Sequence, residues 1–275
     1  MVRARLAAAS SVAFFLLFGV QLWGTCNGSG WSHYFTTSMA EVSQEGLSAI
    51  TLITHNIQDD SLYHYELGLW LAGQPADVVV LQEVPSSIEK WCRDKSIYPY
   101  QLQVYDPALN HPNFPQDKAT VILSRYPFES NTNVKPFRES RPVMFARISI
   151  PGVENPWIVA IDAREPKTAA NLGQRDRLLL GAARMIGELD GPVVVAGDFN
   201  ATPFTPVFHD FLRLANLSPS KSAIPTFPAG IGSLGIPLDH ILGRDVRVTD
   251  VSALSATGSD HRPLQATLLL AEQSK

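Results

Sequence analysis

Pro192-Val-Val-Val-Ala-Gly-Asp-Phe-Asn-Ala-Thr-Pro203 is the stretch from which the fold can be read. Its apolar run, with three β-branched residues, predicts a buried strand. Gly197-Asp198-Phe199-Asn200 breaks that run where the chain leaves the sheet, so Asp198 and Asn200 stand at a strand's carboxyl end. The side-chain period of two in an extended segment aims both toward one face, a carboxylate beside a neutral amide. Such a pair suits a phosphate. The carboxylate can hold a cation or orient a water, and the amide can donate to an oxyanion without adding negative charge. Taken alone, the same four residues also make good turn sequence.

Working outward, Asn171 to Leu189 carries Leu178, Ala182, Met185, Ile186 and Leu189 at helical spacing and predicts an amphipathic helix feeding the central strand. Before it, Trp157 to Ile161 reads as a strand that exits into Asp162-Ala-Arg164-Glu-Pro166. After it, the chain predicts a short helix at Thr205–Leu214, a strand at Ile236–Gly243 carrying Asp239, and a last strand at Leu264–Leu270. Just ahead of the last strand stands Gly258-Ser-Asp260-His261-Arg-Pro263. Upstream, strands are predicted at Ala49–Ile57, Asp77–Glu83, Ala119–Ser124 and Val143–Ile150, with a helix at Tyr63–Ala72. Strands interleaved with helices mark an α/β domain. Asn56, Glu83, Asp198, Asn200, Asp239, Asp260 and His261 all fall at predicted strand ends or in the adjoining turns. Glu83 and His261 are not ordinary turn formers, so turn chemistry does not account for the set.

Composition narrows the function. The chain has 275 residues, 45% of them apolar, enough for one substantial core. With 22 Lys plus Arg against 26 Asp plus Glu, the net charge of -4 provides no basic field for tight duplex nucleic-acid binding. Cys26 and Cys92 are too few for a disulfide scaffold or a cysteine zinc site. At the amino terminus, Arg3 and Arg5 precede an uncharged stretch from Leu6 to Trp23, which reads as a signal peptide or membrane anchor over residues 1–24. Leu22 and Trp23 spoil a small-residue cleavage pattern, so a retained anchor is expected. The positive flank then places the rest of the chain outside the cytoplasm. A Gly/Ser/Thr-rich linker over residues 25–48 leads into one catalytic domain at 49–272, expected as a monomer.

The ordered set Thr54-His-Asn-Ile-Gln58, Leu81-Gln-Glu-Val84, Leu123-Ser-Arg-Tyr-Pro127, Gly197-Asp-Phe-Asn-Ala-Thr-Pro203, Leu238-Asp-His-Ile241 and Gly258-Ser-Asp-His-Arg-Pro263 resembles the endonuclease/exonuclease/phosphatase, or deoxyribonuclease-I-like, superfamily. Within it the chain looks most like a bacterial membrane-associated branch. The resemblance implies a four-layer α/β/β/α sandwich with two stacked mixed sheets, and a phosphoesterase site at one edge that uses magnesium or manganese. It implies Glu83 as the principal metal carboxylate, with Asn56 and Asp260 as further ligands. It likewise implies Asp239 as the carboxylate orienting His261, and Asp198 with Asn200 as the pair that positions water and steadies the phosphate oxyanion. The substrate would be a phosphate ester of a lipid head group, a nucleotide or a nucleic acid. A catalytically impaired binding protein and a secreted nuclease stay open as alternatives.

One departure stands out. Where many members of the superfamily carry Thr-His after the fifth strand, this chain has Ile161-Asp162. A carboxylate there adds negative charge where a phosphate binds, so Arg164 or a second metal is expected to offset it. Alternatively, Asp162 is a proton donor whose pKa is raised by its carboxylate neighbours.

Overall fold

Val193–Asp198 forms the expected strand, and every one of its residues is buried because a sheet edge faces neither side of it. Trp157–Asp162 runs parallel to it on one side and Asp239–Arg244 runs antiparallel on the other. Each of its three valines, withdrawn from water on both faces, contributes roughly 1.5–3 kcal/mol. This strand is the rigid frame from which Asp198 and Asn200 project.

The computed structural model describes residues 46–57, 70–71, 73–74, 76–84, 98–105, 118–218, 223–255 and 258–273. The amino-terminal segment, nearly all of the linker, both cysteines and most of the helix expected at Tyr63–Ala72 lie outside the described residues. In chain order the strands are β1 (Leu47–Asn56), β2 (Val78–Val84), β3 (Tyr100–Tyr105), β4 (Ala119–Ser124), β5 (Phe128–Val134), β6 (Val143–Ile148), β7 (Trp157–Asp162), β8 (Val193–Asp198), β9 (Asp239–Arg244), β10 (Arg247–Ala253) and β11 (Leu264–Ala271). The two α-helices with both ends described are α1 (Ala169–Gly187) and α2 (Pro206–Ala215). Thr168 caps α1, its hydroxyl accepting from the Asn171 amide at 3.1 Å. Pro206 opens α2, and Asn216 closes it in the left-handed region.

The strands form a six-stranded sheet in the order β10-β11-β1-β2-β4-β3 and a five-stranded sheet in the order β5-β6-β7-β8-β9. Both are mixed. Ile50, Leu52, Val78 and Val80 of the first sheet pack against Ala146, Ile158, Val194 and Ile241 of the second, so the main core lies between them. The outer face of the five-stranded sheet is covered by Leu178, Leu179, Ala182 and Ile186 of α1 and by Phe208 and Phe211 of α2. The outer face of the six-stranded sheet packs Ile53, Val79 and Leu81 with Leu71, and with Trp70, which is helical. The layered sandwich expected from the motifs is the one observed.

The sequence reading omitted β3, β5 and β10, and all three are edge strands. An edge strand exposes one rim and often one face, so it lacks the continuous apolar run that marked the central strands. In β5, Phe-Glu-Ser-Asn-Thr-Asn-Val, the five interior residues are exposed. The strand expected at Ile236–Gly243 starts later, at Asp239, because Ile236 pairs instead with Phe227 in an isolated bridge.

Candidate active site

Topology gathers the polar strand ends. β1 and β2 run parallel, so Asn56 and Glu83 leave the first sheet at one edge. β11 is antiparallel to β1, with Leu264 opposite Thr54, which brings the preceding Asp260 and His261 to the same edge. In the second sheet β7 and β8 are parallel, with Asp162 opposite Asp198, and the start of antiparallel β9 places Asp239 opposite Asp198. The expected site residues other than Arg164 therefore converge. Arg164 forms no hydrogen bond or ion pair with any described residue.

The backbone is shaped to aim these side chains. Pairing of β2 with β4 is irregular between Leu81 and Val84, and Glu83 sits in that bulge at φ 56. A left-handed non-glycine residue is strained, and here the strain turns the Glu83 carboxylate out of the ladder. Gly197 has φ 144, and a Cβ on it would lie 1.9 Å from the Ile161 carbonyl oxygen. Only glycine allows β7 and β8 to approach this closely beside Asp198. Asn200 is also left-handed, at φ 46, a conformation asparagine tolerates. Its position is fixed from several sides: Arg175 of α1 donates to its carbonyl at 2.8 Å, its amide donates to the Ala163 carbonyl at 3.0 Å, and the His240 ring lies 2.9 Å from the neighbouring Ala201 carbonyl.

Asp198, almost completely buried, accepts from three N–H groups. The Asn56 side-chain amide donates at 3.0 Å, the Asn200 side-chain amide at 2.9 Å and the Asn200 backbone at 2.8 Å. Burial pushes its pKa well above the usual carboxylate range; His261 opposes the shift, while the charges of Asp239 and Asp162 add to it. A raised carboxylate held by amides is a better proton acceptor than an ordinary aspartate.

His261 Nδ1 donates to Asp239 Oδ2 at 2.8 Å. Burial alone would lower the imidazole, but Asp239, then Asp198, the hydrogen bond to Asp239 and Asp260 outweigh it and push His261 up to about 10. Asp239 is held down, since His261 outweighs its burial. The Asp239 loop is tied in place by Thr226, whose hydroxyl accepts from the Leu238 and Asp239 amides at 3.2 Å each. Ser259 fastens the His261 loop to the end of β1, donating to the Asn56 carbonyl at 2.7 Å and accepting from the His261 amide at 3.0 Å. The other ring nitrogen, Nε2, stands 4.0 Å from both Asp198 Oδ2 and Asp260 Oδ1. That is beyond direct hydrogen bonding and leaves the imidazole facing a gap between two carboxylates.

Across the site the charges are different. Lys118 Nζ donates to Glu83 Oε2 at 2.5 Å, and Arg141 Nη2 lies 3.7 Å from Glu83 Oε1. Burial raises Glu83, yet Lys118 and Arg141 together hold it below the usual range. Arg141 Nη1 also donates to Asp162 in a short, buried ion pair. The cation that offsets Asp162 in this structure is thus Arg141, not Arg164. Lys118 and Arg141 were missed in the sequence. Each stands just before a strand, β4 or β6, that is antiparallel to one delivering a carboxylate, and that adjacency was the available signal.

Asp260 Oδ1 is buried with no hydrogen-bond partner among the described residues. Burial raises Asp260; His261 opposes this and the charge of Glu83 adds to it. Two carboxylates that feel one another, one with an orphaned oxygen, form an oxygen-donor set that a hard divalent cation fits. Asp198, Asp239 and His261 also present ligand-type atoms within 4.8 Å of one another, though there the imidazole is engaged with Asp239.

Comparison with known proteins agrees with this geometry. The chain is 26% identical over 220 residues to a UPF0294 protein of Klebsiella pneumoniae (strain 342), covering 78% of this chain and 80% of that one. The solved structure of an endonuclease/exonuclease/phosphatase from Beutenbergia cavernae superposes with a TM-score of 0.66 at 16% identity, covering 81% of this chain and 72% of that one. D. rerio TDP2, complexed with a single-strand DNA product, superposes with a TM-score of 0.64 at 17% identity, covering 80% of this chain and 99% of that one. At these identities the structures share the fold. A family model described as Endonuclease/Exonuclease/phosphatase family matches residues 53–261, from the middle of β1 to His261, and the chain belongs to that family.

Proposed function

We propose that the chain is a divalent-metal-dependent phosphoesterase acting outside the cytoplasm, hydrolysing a phosphate ester by in-line attack of water. The observation that carries this reading is His261. Its Nδ1 is pinned to Asp239, and its Nε2 faces a gap 4.0 Å from both Asp198 and Asp260, while Asn56 and Asn200 hold Asp198.

Glu83, Asn56 and Asp260 would hold magnesium or manganese, which supplies charge neutralisation for the phosphate. Asp198, with its raised pKa, accepts the proton of the attacking water. Asn200 steadies the water and the phosphate oxygens through its amide. His261, protonated and oriented by Asp239, donates from Nε2 to a phosphate oxygen and stabilises the charge that develops there. Family membership supports the reaction class. The net charge of -4 counts against tight binding of duplex nucleic acid. The extracytoplasmic placement rests on Arg3, Arg5 and the uncharged Leu6–Trp23 stretch. Among the described residues no helix is long and apolar enough to cross a membrane.

The test is hydrolysis of bis(p-nitrophenyl) phosphate and p-nitrophenyl phosphate by the purified chain, before and after chelation. Activity lost on chelation and restored by magnesium or manganese, but not zinc, is expected. Full activity after exhaustive chelation removes the metal role from Glu83, and no hydrolysis of either ester removes the enzyme reading. A carboxyl-terminal reporter active only in the cytoplasm should give no signal; strong signal overturns the placement.

A further inference from the structure

We propose that Asp162 is a positioning residue for Arg141, and that Arg141 supplies the phosphate-binding N–H donors on this side of the site. This rests on the phosphoesterase reading. Asp162 closes β7 and Arg141 stands just before β6. Met144 lies opposite Ala160 in the antiparallel register, which brings Arg141 alongside Asp162. Both side chains are nearly excluded from water, and they meet in a charge-assisted hydrogen bond. The same guanidinium leans on Glu83 at 3.7 Å.

A guanidinium has five N–H donors in one rigid plane, so a single arginine can hold Asp162 and present donors to a phosphate oxygen from the same plane. Two carboxylates flanking it fix the direction of that plane. Removing Asp162 takes away a short, charge-assisted contact that directs the plane. In this geometry the Asp162 carboxylate accepts from Arg141, a contact that holds the guanidinium and directs the carboxylate toward it. Where a histidine at the end of this strand would donate directly, the chain places an aspartate that holds a donor delivered by the neighbouring strand. Asp162 therefore acts through Arg141 and does not itself touch the substrate.

The experiment is a double-mutant cycle on the full chain with magnesium present, read by calorimetric binding of inorganic phosphate and by the pH profile of bis(p-nitrophenyl) phosphate hydrolysis. Arg141→Ala is expected to weaken phosphate binding by about 10- to 100-fold, the range of a hydrogen bond to a charged group. Asp162→Asn should weaken it several-fold and raise KM more than it lowers kcat, leaving the alkaline limb of the pH profile in place. In the Arg141→Ala background, Asp162→Asn should have almost no further effect. Arg141→Lys and Asp162→Glu keep the charges and cover the case in which the truncated variants do not fold; Arg141→Lys should still weaken phosphate, and Asp162→Glu should retain most of the affinity. An Asp162→Asn variant that loses kcat and the alkaline limb at unchanged KM would make Asp162 the proton donor and overturn the proposal. Equal effects of Asp162→Asn with and without Arg141 would overturn it as well. Because phosphate binding is read separately, a wild-type chain that binds phosphate but hydrolyses neither ester defeats the phosphoesterase reading and not this one.

Discussion

The two halves of the site handle charge in opposite ways. On one side Glu83, partly open to water, is compensated by the partly exposed Lys118 and by Arg141, which shares its donors with Asp162. On the other, Asp198, Asp239 and His261 are buried together, and apart from the imidazole the compensation of Asp198 is neutral amides. The first arrangement lets charged groups arrive, since a cation beside Glu83 can be displaced or can turn to a phosphate. The second fixes where protons sit, because burial makes the charge of each of these groups depend strongly on that of the others. On the proposed reading, binding and proton handling are thus separated across a site only a few side chains wide.

The severest blow to the proton-handling half is removal of its members. Asp198→Asn and His261→Ala should each lower kcat by roughly 10²- to 10⁴-fold, the usual worth of positioned acid–base groups. The separation drawn above fails if either variant keeps wild-type turnover on bis(p-nitrophenyl) phosphate while remaining folded by circular dichroism.

The frame beneath that half is the next target. Gly197→Ala puts a methyl group 1.9 Å from the Ile161 carbonyl at a φ of 144. We expect a loss of about 3 kcal/mol or more in urea unfolding, from backbone strain and splaying of β7 from β8. A loss below about 1 kcal/mol would show that the two strands separate readily and that the site is not rigidly framed.

A third measurement probes how firmly the buried half excludes charge. His240 packs at a tilt against Phe208 with ring centres 4.5 Å apart, and burial lowers it to about 4, against the raising effects of the Ala201 carbonyl and Asp239. A histidine whose folded pKa lies below its unfolded value of 6.5 is fully compatible with folding above pH 6.5. Its contribution is then lost as pH falls from 6.5 toward 4. The wild-type chain should lose roughly 3 kcal/mol across that window from His240. His240→Gln should show a correspondingly flatter stability profile over the same window, even if it is less stable at neutral pH. Parallel profiles for the two proteins would place the acid sensitivity elsewhere.

The smallest effect belongs to the open half. Lys118→Met removes a cation that competes for Glu83, so the magnesium concentration for half-maximal activity should fall, by about two- to fivefold, since a partly exposed pair is worth less than about 1 kcal/mol. An unchanged or higher magnesium requirement would mean that Lys118 does not compete for Glu83 and serves the substrate instead.

The central strands and the polar strand ends that converge at the site were legible along the chain because both signals are local. A strand buried on two faces must be a continuous apolar run, and Val193–Ala196, Val78–Leu81 and Val121–Leu123 are such runs. A polar residue breaking such a run, like Glu83 or Asp198, is costly to desolvate and so points to a site. Edge strands such as Phe128–Val134 left no such trace, because their exposed faces accept polar residues without penalty. What only the tertiary structure decided was partnership. Asp162 has an arginine two residues away, yet its counter-ion is Arg141, 21 positions earlier and delivered by the antiparallel register of β6 on β7. Sequence distance is not spatial distance once strands pair. A charge buried at a strand's end is answered by whatever the neighbouring strand carries at its start.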